Sequence, residues 1–154
     1  MLYLIQGIFA QVAHDIFELA HSDGDGIMWL NENRTAGLFV FAGLLFPDPE
    51  HDDPKHLIGK MHDVFGLSRL LNIEITKTDL RFTKHYDGRP DPISYEFKRQ
   101  PDGTWIGYYL GVMGNFPSRC TLSEVPDDFL KIIGLEGRNQ DELFRGLIYE
   151  PSST

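Results

Sequence analysis

The chain has 154 residues, enough for one domain with a sizeable core, and 42% of them are hydrophobic, which is normal for a globular protein. Its 14 basic residues against 23 acidic ones give a formal net charge of −9, which argues against nucleic acid or an anionic membrane as the main partner. This charge leaves two explanations open, a basic protein partner or solubility alone.

The first predicted element is a helix over residues 2–20, within an N-terminal segment of 1–21. Apolar side chains recur there at helical spacings of three and four residues. They are Leu2, Ile5, Phe9, Val12, Ile16 and Leu19. If no sheet covers this stripe, it would drive homodimerisation. No basic residue precedes it, as a signal peptide would require, and no run of about 20 apolar residues occurs, so we expect a cytoplasmic protein without a membrane span.

Residues 21–32 resemble an EF-hand calcium loop. The matching residues are Asp23, Asp25, Gly26 and Glu32, at the third, fifth, sixth and last positions of the loop. The resemblance implies that the acidic side chains bind calcium, but His21 stands where the motif has its first aspartate. The alternative is a polar, glycine-rich connection between helix and sheet. We therefore predict no metal site and keep calcium binding as an alternative function.

The next segment combines an apolar strand with an acidic loop. Residues 37–46 are continuously apolar and rich in aromatic and β-branched side chains, which predicts a central strand. Residues 47–54 contain three prolines and several acidic groups, as a solvated loop does. Neighbouring histidines stand near aspartates, but their spacing would not place two ligands on one helical face. These histidines are His51, His56 and His62.

Three further elements precede the central hairpin. Residues 56–65 carry apolar side chains at helical spacing and end at Gly66, which predicts a helix. A short strand is predicted at 73–75. Residues 80–86 alternate, as in a half-buried strand. One side of that strand carries Leu80, Phe82 and Lys84, and the other carries Arg81, Thr83 and His85.

Residues 93–111 predict a β-hairpin. The turn sequence is Gln100-Pro101-Asp102-Gly103, in which proline and glycine occupy positions that suit a tight turn. If Gln100 pairs with Thr104, the strands align in one register. The opposed pairs are then Arg99 with Trp105, Phe97 with Gly107, Tyr95 with Tyr109 and Ile93 with Gly111. A face of rings opposed to glycines is typical of the concave side of a barrel.

The last elements are a strand and two short helices. A turn is predicted at Asn115 and Pro117, followed by a strand over 118–125 with Cys120 and Leu122 inward. Helices are predicted at 126–133 and 139–147. As the only cysteine, Cys120 excludes a disulfide within these residues and fits a reducing compartment.

The predicted fold class is therefore α+β. A single domain over 1–154 would have a curved antiparallel sheet or small β-barrel as its core at 37–125. Helices would flank this core at the N-terminus and at 126–147. In outline, such a barrel is similar to the calycin architecture of lipocalins and fatty-acid carriers, although no motif of those families is present.

The sequence favours a non-catalytic binding protein over an enzyme. A small apolar or aromatic ligand would lie on the aromatic face of the hairpin, with an arginine near its rim. The predicted ligand-binding residues are Tyr95, Phe97, Trp105, Tyr109, Arg99 and Arg119. No catalytic residue and no cofactor is predicted. Besides calcium binding, three alternatives remain: a filled aromatic core, an interaction module that binds a basic protein through residues 48–53, and an enzyme using His85 and Tyr86.

Overall fold

The computed structural model describes residues 2–10, 38–111, 114–126 and 128. These residues form eight strands, and each strand pairs antiparallel with the next along the chain. The last strand pairs with the first, which closes the sheet into a barrel. The strands are β1 (Leu2–Ala10), β2 (Leu38–Pro47), β3 (Leu57–Asp63), β4 (Gly66–Ile75), β5 (Asp79–Tyr86), β6 (Ile93–Arg99), β7 (Trp105–Gly111) and β8 (Gly114–Val125).

The α+β prediction is wrong, because the described part of the chain contains strands and connecting turns but no helix. Residues 2–10, predicted as a helix, form β1, which pairs with both β2 and β8. The rest of the predicted helix, residues 11–20, lies outside the described residues, and homodimerisation stays a prediction. Ile5 and Phe9 face the barrel interior, whereas Leu4 packs against Leu44 on the outer face. A strand that is apolar on both faces also satisfies helical spacing, which explains the wrong prediction.

The helix predicted at 56–65 is also wrong. Residues 57–63 form β3, and a two-residue turn at Val64 and Phe65 leads directly into β4. Gly66, interpreted as the end of a helix, instead begins β4 with a positive φ of 124°. The turn predicted at Asn115 and Pro117 is wrong as well, since both residues belong to β8.

The prediction of a small β-barrel is confirmed, and the hairpin has the predicted register. Three of its predicted pairs align, with Arg99 opposite Trp105, Phe97 opposite Gly107 and Tyr95 opposite Tyr109. The Gln100 amide donates a hydrogen bond to the Thr104 carbonyl at an N···O distance of 2.7 Å. The EF-hand-like segment 21–32 and the helix predicted at 139–147 lie outside the described residues, as does nearly all of the helix predicted at 126–133.

Glycine allows the close approach of β6 and β7. A Cβ atom added to Gly107 would lie 1.7 Å from the Glu96 carbonyl oxygen on the neighbouring strand. Only a residue without a side chain fits at this distance, and the Phe97 ring stands directly opposite in the register. The hairpin therefore bends tightly and turns its aromatic face toward the barrel axis.

The barrel interior is filled mainly by apolar and aromatic side chains. Every strand contributes to this core, because inward and outward residues alternate along each strand. Its buried members are Ile5, Phe9, Phe41, Leu45, Met61, Leu70, Leu80, Phe82, Tyr95, Phe97, Trp105, Tyr109 and Cys120. Cys120 thus faces inward, as predicted.

Candidate functional site: a buried polar cluster among aromatic rings

The four predicted ligand-binding rings all lie on the inner face of the barrel. Tyr95, Phe97, Trp105 and Tyr109 are buried. Tyr95 stacks on Tyr109 with ring centroids 5.3 Å apart and on Phe97 at 5.9 Å. The structure therefore brings these rings together on one wall, which is the arrangement that the alternation of the hairpin predicts.

The two predicted arginines are not buried with these rings, although Arg99 stands opposite Trp105 at the end of the wall. Arg99 is exposed at the end of β6. Arg119 is half-buried and stands between the inward-facing Ser118 and Cys120, so the alternation of β8 turns it to the outer face. Neither arginine is grouped with the stacked rings in the interior.

Inside the barrel, three polar side chains converge that the predicted ligand-binding set does not contain. Asp63 ends β3, while Lys84 and Tyr86 lie near the end of β5. Lys84 and Tyr86 face inward because they continue the alternation that begins with Leu80 and Phe82. Lys84 is 0% exposed and Asp63 is 1% exposed, so both members of this ion pair are removed from water.

The Asp63 carboxylate joins this cluster to the neighbouring turn. Its Oδ2 atom accepts hydrogen bonds from the Lys84 ammonium and from the Tyr86 hydroxyl, the latter at 2.6 Å. Its Oδ1 atom accepts a hydrogen bond from the Phe65 amide at 2.8 Å. In the part of the chain that the structure describes, every buried side-chain nitrogen and oxygen has a hydrogen-bond partner. The cluster is therefore a fully satisfied polar network, as a stable apolar interior requires.

Aromatic rings surround the Lys84 ammonium. The nitrogen lies 4.5 Å from the ring centroid of Tyr86, 5.0 Å from that of Phe9 and 5.7 Å from that of Tyr95. These distances fall within the range of cation–π attraction, which strengthens where water is excluded. The exposed Arg89 lies 4.9 Å from the centroid of the Tyr86 ring, so two cations flank that ring.

Burial alters the acid–base properties of the cluster. Loss of hydration lowers the pKa of Lys84, and the adjacent Asp63 carboxylate offsets part of that change. Burial and the Asp63 charge raise the pKa of Tyr86 and that of Tyr95 well above the ordinary value. Tyr86 therefore remains protonated and continues to donate its hydrogen bond to Asp63.

The cluster lies toward one end of the barrel, which we call the Phe65 end. This end carries the β3–β4 turn at Val64 and Phe65 and the β5–β6 loop at residues 87–92. The Phe65 side chain is 37% exposed, and its ring lies 5.1 Å from that of Phe39 and 6.2 Å from that of Phe9. A line of aromatic rings thus leads from solvent, through Phe65 and Phe9, to the Lys84 ammonium.

The sequence contained one signal for this cluster. Lys84 shares a side of its strand with Leu80 and Phe82, and a lysine in such a row indicates a buried cation that needs a partner. Asp63 could not be recognised as that partner, because the wrong helix prediction over 56–65 removed it from the sheet. Tyr86, named as a candidate acid or base, does belong to the cluster, whereas His85 alternates to the other face.

In the histidine-containing loop at residues 48–56, the aspartate carboxylates accept hydrogen bonds from backbone amides of the same loop. Asp48 accepts a hydrogen bond from the Glu50 amide at 3.0 Å, and Asp53 accepts one from the Lys55 amide at 2.9 Å. Among the residues that the structure describes, no group of three or more histidine, cysteine or acidic side chains is arranged to hold a metal ion.

The described strands thus define a closed, eight-stranded antiparallel barrel with an aromatic interior and a buried polar cluster. No protein-family model, curated protein or solved structure matches the chain. Within the described ranges, no helix is long and apolar enough to cross a membrane.

Proposed function

We propose that this chain is a small-molecule-binding protein that takes a neutral, apolar ligand into the Phe65 end of its barrel. The observation that carries the proposal is the Asp63–Lys84 ion pair with Tyr86, fully buried among aromatic rings. Small-molecule sites are characteristically apolar with a few well-placed polar groups, and such groups orient the ligand. The ligand would reach these rings at Phe65, which is 37% exposed, because side chains fill the interior beyond it.

The cost of burying charge supports a preference for a neutral ligand. Asp63 and Lys84 neutralise each other, so the cluster carries no net charge. An added carboxylate or ammonium would leave one uncompensated charge in a water-poor interior, which is strongly unfavourable. A neutral ligand avoids that cost and still finds hydrogen-bonding groups and ring faces.

Part of the predicted ligand-binding set belongs to this proposal. Tyr95 lies beside the Lys84 ammonium, and Tyr109 packs edge-on against Phe9 with ring centroids 5.8 Å apart. Phe97 and Trp105 lie further along the barrel toward the opposite end, because β6 ends and β7 begins there. Phe97 stacks on Tyr95 with ring centroids 5.9 Å apart and so supports that ring.

A matched pair of fluorescent probes tests the proposal. Anilinonaphthalene is neutral, and its sulfonate derivative has the same rings with one negative charge. We expect the neutral probe to bind and to brighten, and the sulfonate to bind at least about tenfold more weakly because of the charge it would bury. Titration of the purified protein with each probe measures both affinities.

Two substitutions to aspartate test whether the ligand binds at the Phe65 end of the barrel. Phe65→Asp places a charge among the rings at the Phe65 end, and we expect it to weaken binding of the neutral probe by at least about tenfold. Tyr108→Asp is the matched control, because Tyr108 is an exposed ring on the outer face of β7. Equal effects of the two substitutions, or stronger binding of the sulfonate, would contradict the proposal.

A further inference from the structure

Two rows of charged side chains cross the outer face of the barrel, and they differ in their pattern of charge. The alternating row consists of Glu74, Arg81 and Glu96, which are direct neighbours on β4, β5 and β6. The Arg81 guanidinium lies 3.8 Å from the Glu74 carboxylate and 3.9 Å from that of Glu96. Every charge in this row therefore has an opposite charge beside it, which is the arrangement that stabilises the surface of a sheet.

The second row, which we call the basic row, consists of Lys60, Arg69 and His85. Lys60 is paired with Arg69 across β3 and β4, and Arg69 is paired with His85 across β4 and β5. All three face outward, because their neighbours along each strand are buried in the interior. Opposed residues on adjacent strands have Cβ atoms about 5 Å apart, so Lys60 and His85 stand on either side of Arg69, within reach of one small ligand.

In the part of the chain that the structure describes, no carboxylate forms an ion pair with the basic row. The ion pairs found there involve other basic residues, which are His56, Arg81, Lys84 and Lys98. The loop that follows β5 contains the exposed Asp87 and Asp91, and neither belongs to these pairs.

The charge pattern of the basic row is unfavourable for the sheet itself. Lys60 and Arg69 are like charges in direct cross-strand opposition, which is destabilising. A shortage of acidic residues does not explain this pattern, because the chain has 23 acidic residues against 14 basic ones. An anionic ligand does explain it, since such a ligand would supply the negative charge that the alternating row finds within the sheet.

We propose that the basic row binds the phosphate group of a small phosphate monoester with a partly apolar body. Arg69, at the centre, presents a planar guanidinium that binds two phosphate oxygens at once, and Lys60 supplies a point charge beside it. His85 donates a hydrogen bond through a ring N–H. A phosphate monoester carries close to two negative charges at neutral pH, which matches the two permanent cations of the row.

The residues beside Arg69 on β4 favour a ligand with an apolar body. Leu67 and Leu71 lie two residues before and after it on the same face of the strand, and both are half-buried. Contact with these leucines would bury apolar surface that inorganic phosphate alone leaves uncovered. The site lies on the outer face of the barrel, so it needs no interior space and does not depend on the function proposed above.

Titration with phenyl phosphate tests the inference. Phenyl sulfate is the matched control ligand, because it has the same ring and a tetrahedral anionic group with one negative charge. We expect phenyl phosphate to bind at least about fivefold more tightly than phenyl sulfate, because it has the larger charge, and also more tightly than inorganic phosphate, which has no ring. The measurement is the shift of backbone amide NMR signals of the full chain at low ionic strength, which should be largest in β3, β4 and β5 around the basic row.

Two arginines on the outer face provide matched variants, since both are exposed and neither belongs to the core. Arg69→Gln should weaken binding of phenyl phosphate by at least about tenfold, because the central guanidinium is lost. Arg81→Gln, in the alternating row, should change the affinity by less than about twofold, because this arginine already has two carboxylate partners. Arg69→Lys should restore only part of the affinity, because an ammonium does not bind two phosphate oxygens side by side.

Equal losses of affinity in Arg69→Gln and Arg81→Gln would overturn the inference, as would equal affinities for phenyl phosphate and phenyl sulfate. Binding to phosphatidate vesicles without binding of phenyl phosphate would also overturn it, because the basic row would then recognise a membrane surface and not a small molecule.

Discussion

At the scale of single residues, the Asp63 carboxylate is the centre of the site. It accepts hydrogen bonds from an interior ammonium, an interior phenol and the backbone of an exposed turn. Buried ion pairs contribute little net stability relative to apolar packing, but removal of one partner is costly. The Asp63–Lys84 pair is therefore not explained by a gain in stability, which supports the proposed binding site.

A double-mutant cycle tests how strongly this pair is coupled. Lys84→Met and Asp63→Asn should each lower the free energy of unfolding by about 3–5 kcal/mol, because each leaves an unpaired buried group. The double variant should lose clearly less than the sum of the two, since no unpaired charge remains. Urea denaturation provides the measurement.

The exposed pair of Lys98 and Asp79 is the control for that cycle. Lys98→Met should leave the unfolding midpoint nearly unchanged, because solvent screens this interaction. Single substitutions in the interior that cost no more than Lys98→Met would show that Lys84 and Asp63 are not buried as a pair.

The buried phenols predict a loss of stability at alkaline pH. Burial raises the pKa of Tyr109 to about 12, so the folded state keeps this proton after the unfolded chain has lost it above pH about 10. The unfolded state then binds fewer protons, and stability falls as pH rises from about 10 toward 12. Tyr109→Phe should remove the contribution of Tyr109 and flatten this part of the profile.

The measurement is the free energy of unfolding of both proteins at neutral pH and at several alkaline values. Tyr109→Phe should be less stable at neutral pH by about 1–3 kcal/mol, because the Ala10 carbonyl loses the hydrogen bond that the Tyr109 hydroxyl donates. Parallel profiles for the two proteins would contradict the assignment of Tyr109 as a buried, titrating group.

At the scale of elements, the hairpin of β6 and β7 fixes the curvature of the aromatic wall. Gly107→Ala should lower the free energy of unfolding by about 1–3 kcal/mol, because the new methyl group would overlap the Glu96 carbonyl and separate the strands. Gly111→Ala is the matched control on the same strand, since the nearest atom to its added methyl group lies 3.7 Å away, an ordinary contact. Thermal unfolding of the two variants gives the comparison, and equal losses would argue against the close approach at Gly107.

The hairpin could be predicted from the sequence because the residues that specify it are close together along the chain. The turn chemistry of Pro101 and Gly103 and the alternation of side chains together specify one register. The sequence misassigned β1 and β3 because their partners are distant: β1 pairs with β8, more than a hundred residues away along the chain. Apolar residues on both faces of β1 match helical spacing, and only the pairing distinguishes the two structures. In β3, Gly59 lies in the middle of the predicted helix, where glycine is unfavourable, and this argued against a helix.

At the scale of the whole molecule, closure of the sheet assembles the site. Asp63 on β3, Lys84 on β5 and Phe9 on β1 are separated in sequence and meet only because the strands surround one interior. Alternation in single strands predicts which residues face inward, and it placed Tyr95, Phe97 and Cys120 correctly. It does not predict which inward residues meet across the barrel, and for this reason the polar cluster escaped prediction.

The most direct test of this account locates the neutral naphthalene probe by nuclear Overhauser effects in the complex with the full chain. We predict contacts between the probe and the rings of Phe9, Phe65 and Tyr109 at the Phe65 end of the barrel. Contacts confined to Tyr108 and Leu110, the exposed apolar side chains on the outer face of β7, would contradict a binding site inside the barrel.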